Sequence, residues 1–364
     1  FQFIKNKISN IELTPAQMAL EPCTAGVTVT DVNTGEVLAL VTYPSYDNNK
    51  LANGIDADYY AGLQNDLSKP LWDYATQMRS APGSTYKMVS ASAILMSQTA
   101  TIDDTVNCVG YFTRFSDRAL RCWIAPGSHG NLNISEAIAN SCNFFFYEMA
   151  YRMGGGTDTT SFDSDKANEI MRTYADLYGL TDKSGIEIEE SSPQVSTDNA
   201  ALSAIGQGNH SYTTVGLARY VATVANSGTC YNLSLLDKVT DRNGNLLEDF
   251  TPEVRNTIEM PTTYWDAIHE GMKGVVEKKT YFNELSIETA GKTGTADENS
   301  MKPPHGLFVG YAPYDDPQIA ITVMIPFGEG SGTPAPAVAK AIIREYLGLD
   351  YTPTNTTMQT VLAE

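Results

Sequence analysis

The chain has 364 residues, with 24 Lys+Arg against 43 Asp+Glu for a formal charge of −19, and 42% of its residues are hydrophobic. That length allows about two or three domains, and the apolar content is enough for a sizeable core, which excludes a disordered chain. An acidic surface repels phosphate backbones, the longest basic run is Lys278-Lys279, and no stretch reaches the roughly 18 apolar residues of a membrane span, so we set aside nucleic-acid binding and a spanning helix.

The first residue is Phe1, with no signal-peptide pattern after it, and we expect an upstream part of the protein, carrying an anchor, to precede it. Residues 25 to 42 hold two β-branched runs around Asn33-Thr34-Gly35, the pattern of a hairpin. Helical spacing or composition follows over residues 88 to 96, 134 to 153, 167 to 178 and 213 to 226. A second hairpin is predicted over residues 306 to 325 around Tyr314-Asp315-Asp316-Pro317, and a last helix over 338 to 347 stops at Gly348. Hairpins at opposite ends of the chain predict one sheet assembled from both. The fold class is therefore α/β (α+β): a central antiparallel sheet flanked by helices, interrupted by a mostly helical subdomain. The expected boundaries are 12–80 with 200–350 for the α/β part, 81–199 for the helical part and 351–364 for a flexible tail. Residues 154 to 161, Gly-rich and polar, are expected to be a loop.

Three motifs carry the chemistry. Pro82-Gly83-Ser84-Thr85-Tyr86-Lys87 precedes the apolar run of 88 to 96. If a helix begins at the serine, Ser84 and Lys87 share a face with Cβ atoms about 5–6 Å apart. A hydroxyl needs a base to attack at neutral pH, and a lysine amine serves once burial favours its neutral form. Ser141-Cys142-Asn143 comes second: its hydroxyl can relay a proton while the amide of Asn143 holds a substrate amide and the lysine. The third, Ala290-Gly291-Lys292-Thr293-Gly294-Thr295-Ala296, reads as a strand of small residues that a ligand backbone can approach, with Lys292, Thr293 and Thr295 facing a carboxylate. Each motif alone is an ordinary cap or strand; their joint occurrence in this order is not.

Ser-x-x-Lys, Ser-x-Asn and Lys-Thr-Gly in this order resemble the set of penicillin-binding proteins and related β-lactamases. The resemblance extends to Gly35-Glu36-Val37-Leu38-Ala39, Tyr43-Pro44-Ser45-Tyr46-Asp47, His129-Gly130, Gly206-Gln207-Gly208, Ala225-Asn226-Ser227-Gly228 and Phe308-Val309-Gly310-Tyr311-Ala312-Pro313. Over roughly residues 25 to 347 the chain is similar to the transpeptidase domain of class B penicillin-binding proteins. That similarity implies the penicillin-binding, β-lactamase-like fold and a serine D,D-transpeptidase that cross-links peptidoglycan stem peptides ending in D-Ala-D-Ala. Ser84 would be the nucleophile, Lys87 its base, Ser141 and Asn143 their partners, and Lys292, Thr293, Gly294 and Thr295 the substrate-binding strand. The N–H groups of Ser84 and Thr295 would hold the oxyanion. Penicillins and other β-lactams would acylate Ser84. It further implies a place on the extracytoplasmic face of the bacterial cell membrane, an upstream anchor and non-catalytic pedestal, and a membrane glycosyltransferase partner. The chain departs from the family at Asp73-Tyr74-Ala75, where Asn-Arg-Ala is usual.

Of five cysteines, an odd number, Cys108, Cys122 and Cys142 fall with His129 within 35 residues. Three thiolates and an imidazole compose a tetrahedral structural zinc set, although the spacing is not that of a Cys-x-x-Cys knuckle. The competing reading is a Cys108–Cys122 disulfide with Cys142 buried and His129 on the surface. The loop Gly127-Ser128-His129-Gly130 and the position of Cys142 inside the second motif favour zinc, and the pattern is similar to that of a zinc-bearing, elongation-type subset of the class B proteins. His210, His269 and His305 are read as structural or surface groups, Trp72, Trp123 and Trp265 as packing residues, and Cys23 and Cys230 as buried or free thiols with no assigned partner. Two other functions compete: a serine β-lactamase, which needs a base to activate a deacylating water that the three motifs do not supply, and a β-lactam sensor domain, which would keep all three motifs.

Overall fold

The structure, a computed structural model, describes residues 2–10, 23–115, 119–157, 161–279, 282–297, 302–328, 330 and 334–349. The expected tail, 351–364, lies outside the described residues, as does part of the expected loop at 154–161.

Both expected hairpins form, and they meet in one sheet. Strands β1 (Ala25–Asp31), β2 (Val37–Tyr43), β3 (Ala290–Ala296), β4 (His305–Ala312) and β5 (Ile319–Ile325) are ordered β3-β4-β5-β1-β2 with every neighbouring pair antiparallel. The first and last parts of the chain join where β1 pairs with β5, Gly26 opposite Met324 through Asp31 opposite Ile319. The sequence Ile-Ala-Ile-Thr-Val-Met-Ile of β5 is apolar on both faces for a structural reason. Ile319, Ile321, Val323 and Ile325 pack with Ala335, Ala339 and Ile343 of one helix, while Ala320 and Met324 point to the other core cluster. Successive residues of a strand point to opposite faces, so a strand covered on both sides cannot alternate with polar residues.

The helices that matter for the site are α1 (Lys87–Met96), α2 (Ile134–Ala139), α3 (Asn143–Met153), α4 (Ser164–Leu177), α5 (Thr214–Ala225), α6 (Thr262–Glu277) and α7 (Pro334–Tyr346). The single helix expected over 134–153 is two. Helix α2 starts from a capping box, Asn133 with Glu136, and ends at Ala139; Ser141 then takes φ +50 and Cys142 caps α3. A left-handed residue cannot continue a right-handed helix, so the Ser-x-Asn motif sits at the break. Helix α6 was not anticipated, although Trp265, Ile268, Met272, Val275 and Val276 are buried at helical spacing on it. The short strands Val106–Cys108 and Gly130–Leu132, which pair, also fall within the stretch read as mostly helical. Among the described residues no helix is long and apolar enough to cross a membrane.

Candidate active site

The first motif does not begin as an α-helix. Residues Gly83–Tyr86 form a 3-10 turn, and α1 starts only at Lys87, whose N–H donates to the Ser84 carbonyl. Gly83 makes this possible. It has φ +52, and a Cβ there would lie 2.2 Å from the carbonyl oxygen of Thr295 on β3. Gly294 is constrained in the same way, since a Cβ on it would lie 2.6 Å from the Pro82 carbonyl oxygen. The two glycines let the nucleophile turn press backbone to backbone against β3, and the Gly83 N–H is tied to Gly206 O at 3.0 Å.

The three motifs converge on one hydroxyl. Ser141 Oγ donates to Ser84 Oγ at 3.0 Å and accepts from Lys87 Nζ at 3.3 Å and from Lys292 Nζ at 2.9 Å. A serine hydroxyl offers one donor and two acceptor sites, so these three bonds use all of them. Lys87 Nζ also donates to Ser141 O at 2.9 Å and Asn143 Oδ1 at 2.7 Å, and Lys292 Nζ to Thr293 O at 3.1 Å. The expectation that the Asn143 amide holds the lysine is met. Lys292 makes a contact that its motif did not indicate: from a fully buried position on β3 it reaches across to Ser141.

Burying two ammonium groups beside each other is costly, and the titration of both responds. Burial is the main reason that Lys87 is lowered to about 7, opposed in part by the electrostatic influence of Cys142 and Cys122. Lys292 is lowered well below the usual lysine range, first by burial and then by repulsion from Lys87 and Lys279. An amine near 7 can accept a proton at neutral pH, which an exposed lysine cannot.

A cleft of about 510 Å³ opens over these groups, with Ser84, Ser141, Asn143, Lys292, Thr293 and Thr295 on its walls. Residues that the motifs did not indicate also line it: Gln207, Trp123, Lys278, Lys279 and Asp297. Gln207 Nε2 donates to Thr295 O at 3.0 Å. Trp123, read as a packing residue, is 57% exposed and faces the cleft, whereas Trp265 is buried as expected. The adjacency of Trp123 to Cys122 was the one signal in the sequence that could have placed it here. His210 is buried and hydrogen-bonded to Ser196, Tyr212 and Ser203, His269 bonds Val224 O, and His305 is buried with its Nδ1 accepting from the Phe327 N–H; none of the three lines the cleft. The departure at residues 73–75 is a turn: Asp73 accepts from Thr42 Oγ1 and from the N–H groups of Ala75 and Thr76.

The cysteine and histidine set is assembled next to this cleft. Pairing of Cys108 with Gly130 brings His129 to Cys108, and the break before α3 delivers Cys142. The four ligand atoms lie within 4.8 Å of one another. His129 Nδ1 is 3.5 Å from Cys108 Sγ and 3.7 Å from Cys122 Sγ, and Cys122 Sγ is 4.0 Å from Cys142 Sγ. Tetrahedral coordination with metal–sulfur bonds of about 2.3 Å and metal–nitrogen bonds of about 2.0–2.1 Å separates sulfur from nitrogen by about 3.5 Å and sulfur from sulfur by about 3.8 Å. The residues therefore fit a metal ion. No disulfide links them, since all five cysteines are free thiols, with Cys23 exposed and Cys230 buried.

A sheet built from both chain ends, beside a helix that opens on a buried lysine one 3-10 turn after a serine, defines the class of serine penicillin-recognising folds. Residues 25–344 match the penicillin binding protein transpeptidase domain, and the chain belongs to that family. It is 30% identical over 359 residues to peptidoglycan D,D-transpeptidase MrdA of Haemophilus influenzae, covering 88% of this chain and 52% of that protein. It is 27% identical over 325 residues to peptidoglycan D,D-transpeptidase PbpA of Mycolicibacterium smegmatis, covering 84% and 62%. Among solved structures, Pseudomonas aeruginosa PBP2 in complex with WCK 5153 superposes with a TM-score of 0.76 at 27% identity, over 92% of this chain and 76% of that one. The chain spans about half the length of the first of these relatives.

Proposed function

We propose that this domain is a serine D,D-transpeptidase that cross-links peptidoglycan stem peptides and is a target of β-lactam acylation. The observation that carries the reading is the hydroxyl of Ser141, bonded at once to Ser84, Lys87 and Lys292. Ser84 Oγ attacks the carbonyl of the penultimate D-Ala; with the Ser84 hydroxyl turned to donate to Ser141 and the Ser141 hydroxyl turned to donate to neutral Lys87, the proton of Ser84 goes to Ser141 as that of Ser141 goes to the amine. The N–H groups of Ser84 and Thr295 receive the oxyanion, which is worth about 2.7–4 kcal/mol per donor in comparable acyl-transfer sites. Thr293 and Thr295, with Lys292 behind them, bind the terminal carboxylate. Collapse of the intermediate returns the proton to the leaving amine and releases D-Ala. An acceptor amine then attacks the acyl ester, its proton goes to the same base, and Ser84 is regenerated.

In this reading the cleft lies between the α/β part, 12–80 with 200–350, and the helical part, 81–199. Cys108, Cys122, His129 and Cys142 hold a structural zinc. Its chemistry would be to draw in thiolates and leave no open coordination position, so no step of the reaction runs through it. Cys142 lies between Ser141 and Asn143, so a fixed Cys142 holds both in place. The resemblance to the zinc-bearing, elongation-type subset supports an extracytoplasmic site of action, an upstream anchor and a membrane glycosyltransferase partner. The test is mass spectrometry of the intact protein with penicillin. A single long-lived adduct on Ser84, absent in Ser84→Ala, is expected; rapid turnover of the adduct would instead identify a β-lactamase.

A further inference from the structure

Trp123 and Lys278 are organised around Asn140, the residue before Ser141. Trp123 Nε1 donates to Asn140 O at 3.0 Å, Lys278 Nζ donates to Asn140 Oδ1 at 2.6 Å, and Asn140 Nδ2 is held by Glu136 O at 2.8 Å. The Trp123 ring also stands edge-on to His129, 5.2 Å between centroids. An indole more than half exposed and yet fixed from two sides is a preorganised platform, because little side-chain freedom remains to be lost when a ligand covers it. Lys278 uses one of its three N–H groups on Asn140. Lys279 lies close enough to Lys292 for their charges to repel. Among the described residues the cleft thus has Lys278 and Lys279 beside the buried Lys292, against one lining carboxylate, Asp297, in a chain of charge −19.

One substrate carboxylate is already assigned to Thr293, Thr295 and Lys292. From the surplus of positive charge beside an apolar platform we infer that Trp123, Lys278 and Lys279 form a second subsite, for a carboxylate carried on an aliphatic side chain of the peptide in the cleft. The chain lies on the indole face and its carboxylate meets the ammonium groups. The inference rests on the transpeptidase reading, and the carboxylate can belong to the donor or to the acceptor peptide, both of which must enter this cleft.

Two donor esters of the form Xaa-D-Ala-D-lactate, identical except that the side chain of Xaa ends in a carboxylate or a carboxamide, separate these cases. Acylation of Ser84 by each is followed by aminolysis of a preformed acyl-enzyme with a matching pair of amine acceptors. The wild-type domain prefers the carboxylate by about fivefold in one of the two steps, and that step identifies the peptide. In Lys278→Gln/Lys279→Gln, or in Lys278→Gln alone should the double variant not fold, the preference falls toward unity. Trp123→Ala slows both members of the preferred pair. Equal rates for both members in both steps of the wild type, or an undiminished preference in the lysine variants, overturns the subsite. Penicillin labelling of the wild type distinguishes the failures: no adduct on Ser84 overturns the transpeptidase reading, whereas an adduct without carboxylate preference overturns the subsite alone.

Discussion

Lys87 is the residue on which the proposed chemistry turns, because a base must be neutral before it can act. With burial placing it at about 7, the rate of acylation by penicillin is expected to rise with pH through a midpoint near 7 and to level off above it, as measured by stopped-flow or quenched labelling. Stability responds with the same sign. In the unfolded chain the lysine keeps its proton to about 10.4, so between 7 and that value the unfolded state binds more protons than the folded one. The contribution of Lys87 therefore becomes more favourable as pH rises through that window, and Lys87→Met is expected to remove this dependence from thermal unfolding curves while abolishing acylation. Ser141 is the second decisive residue. Ser141→Ala removes the hydroxyl that bonds Ser84 and both lysines, and acylation is expected to fall by about 10²–10⁴, the range of a positioned proton-transfer group.

The nucleophile turn and strand β3 are held together at the level of the element by missing side chains as much as by present ones. A Cβ at Gly83 would meet Thr295 O in a backbone conformation that costs a non-glycine residue about 1–2 kcal/mol before any clash. Gly83→Ala is expected to lower the unfolding free energy by at least that amount and to slow penicillin acylation more than tenfold, since relief of the contact displaces Ser84 from Thr295. Denaturant unfolding and labelling rates check the two halves. The break between α2 and α3 obeys the same logic from the opposite side. Ser141 is a non-glycine residue at φ +50, a conformation costing of order 1–3 kcal/mol, which persists because its N–H is bonded to Ile138 O and the next N–H to Ala137 O. The strain keeps the hydroxyl in the cleft, at a place where helix continuation would carry it away.

For the molecule as a whole, the cysteine and histidine cluster links a pair of short strands to the helix break at Ser141. Zinc content of about one per chain is expected by elemental analysis of purified protein. Cys122→Ser is expected to lose the metal, to lower the melting temperature and to reduce the rate of penicillin acylation, because Cys142 is then held by fewer partners. Protein free of metal, with unchanged stability in the variant, would remove zinc from the account. The distribution of charge belongs to the same scale. In a chain of −19, the exposed Lys278 and the half-buried Lys279 line the cleft, which offsets the repulsion that an acidic surface exerts on an anionic peptide.

What could be read in the residues follows the range of the interactions involved. The β-branched runs of β1 and β5, the turns at Asn33-Thr34-Gly35 and Tyr314-Asp315-Asp316-Pro317, and the composition of the motifs are local, and the amino-acid sequence by itself determined them. The four candidate metal ligands were visible as a composition, since thiolates and imidazole declare their chemistry wherever they stand. Only the tertiary structure decided that Lys292 reaches Ser141, that Trp123 and Lys278 share Asn140, and that the helix of 134–153 breaks at Ser141. Those outcomes depend on which backbones approach closely enough for an indole, a hydroxyl or a lysine to find partners 17 to 151 residues away in the chain. No local pattern encodes such a distance, because it is set by how β3, α1 and α3 pack together.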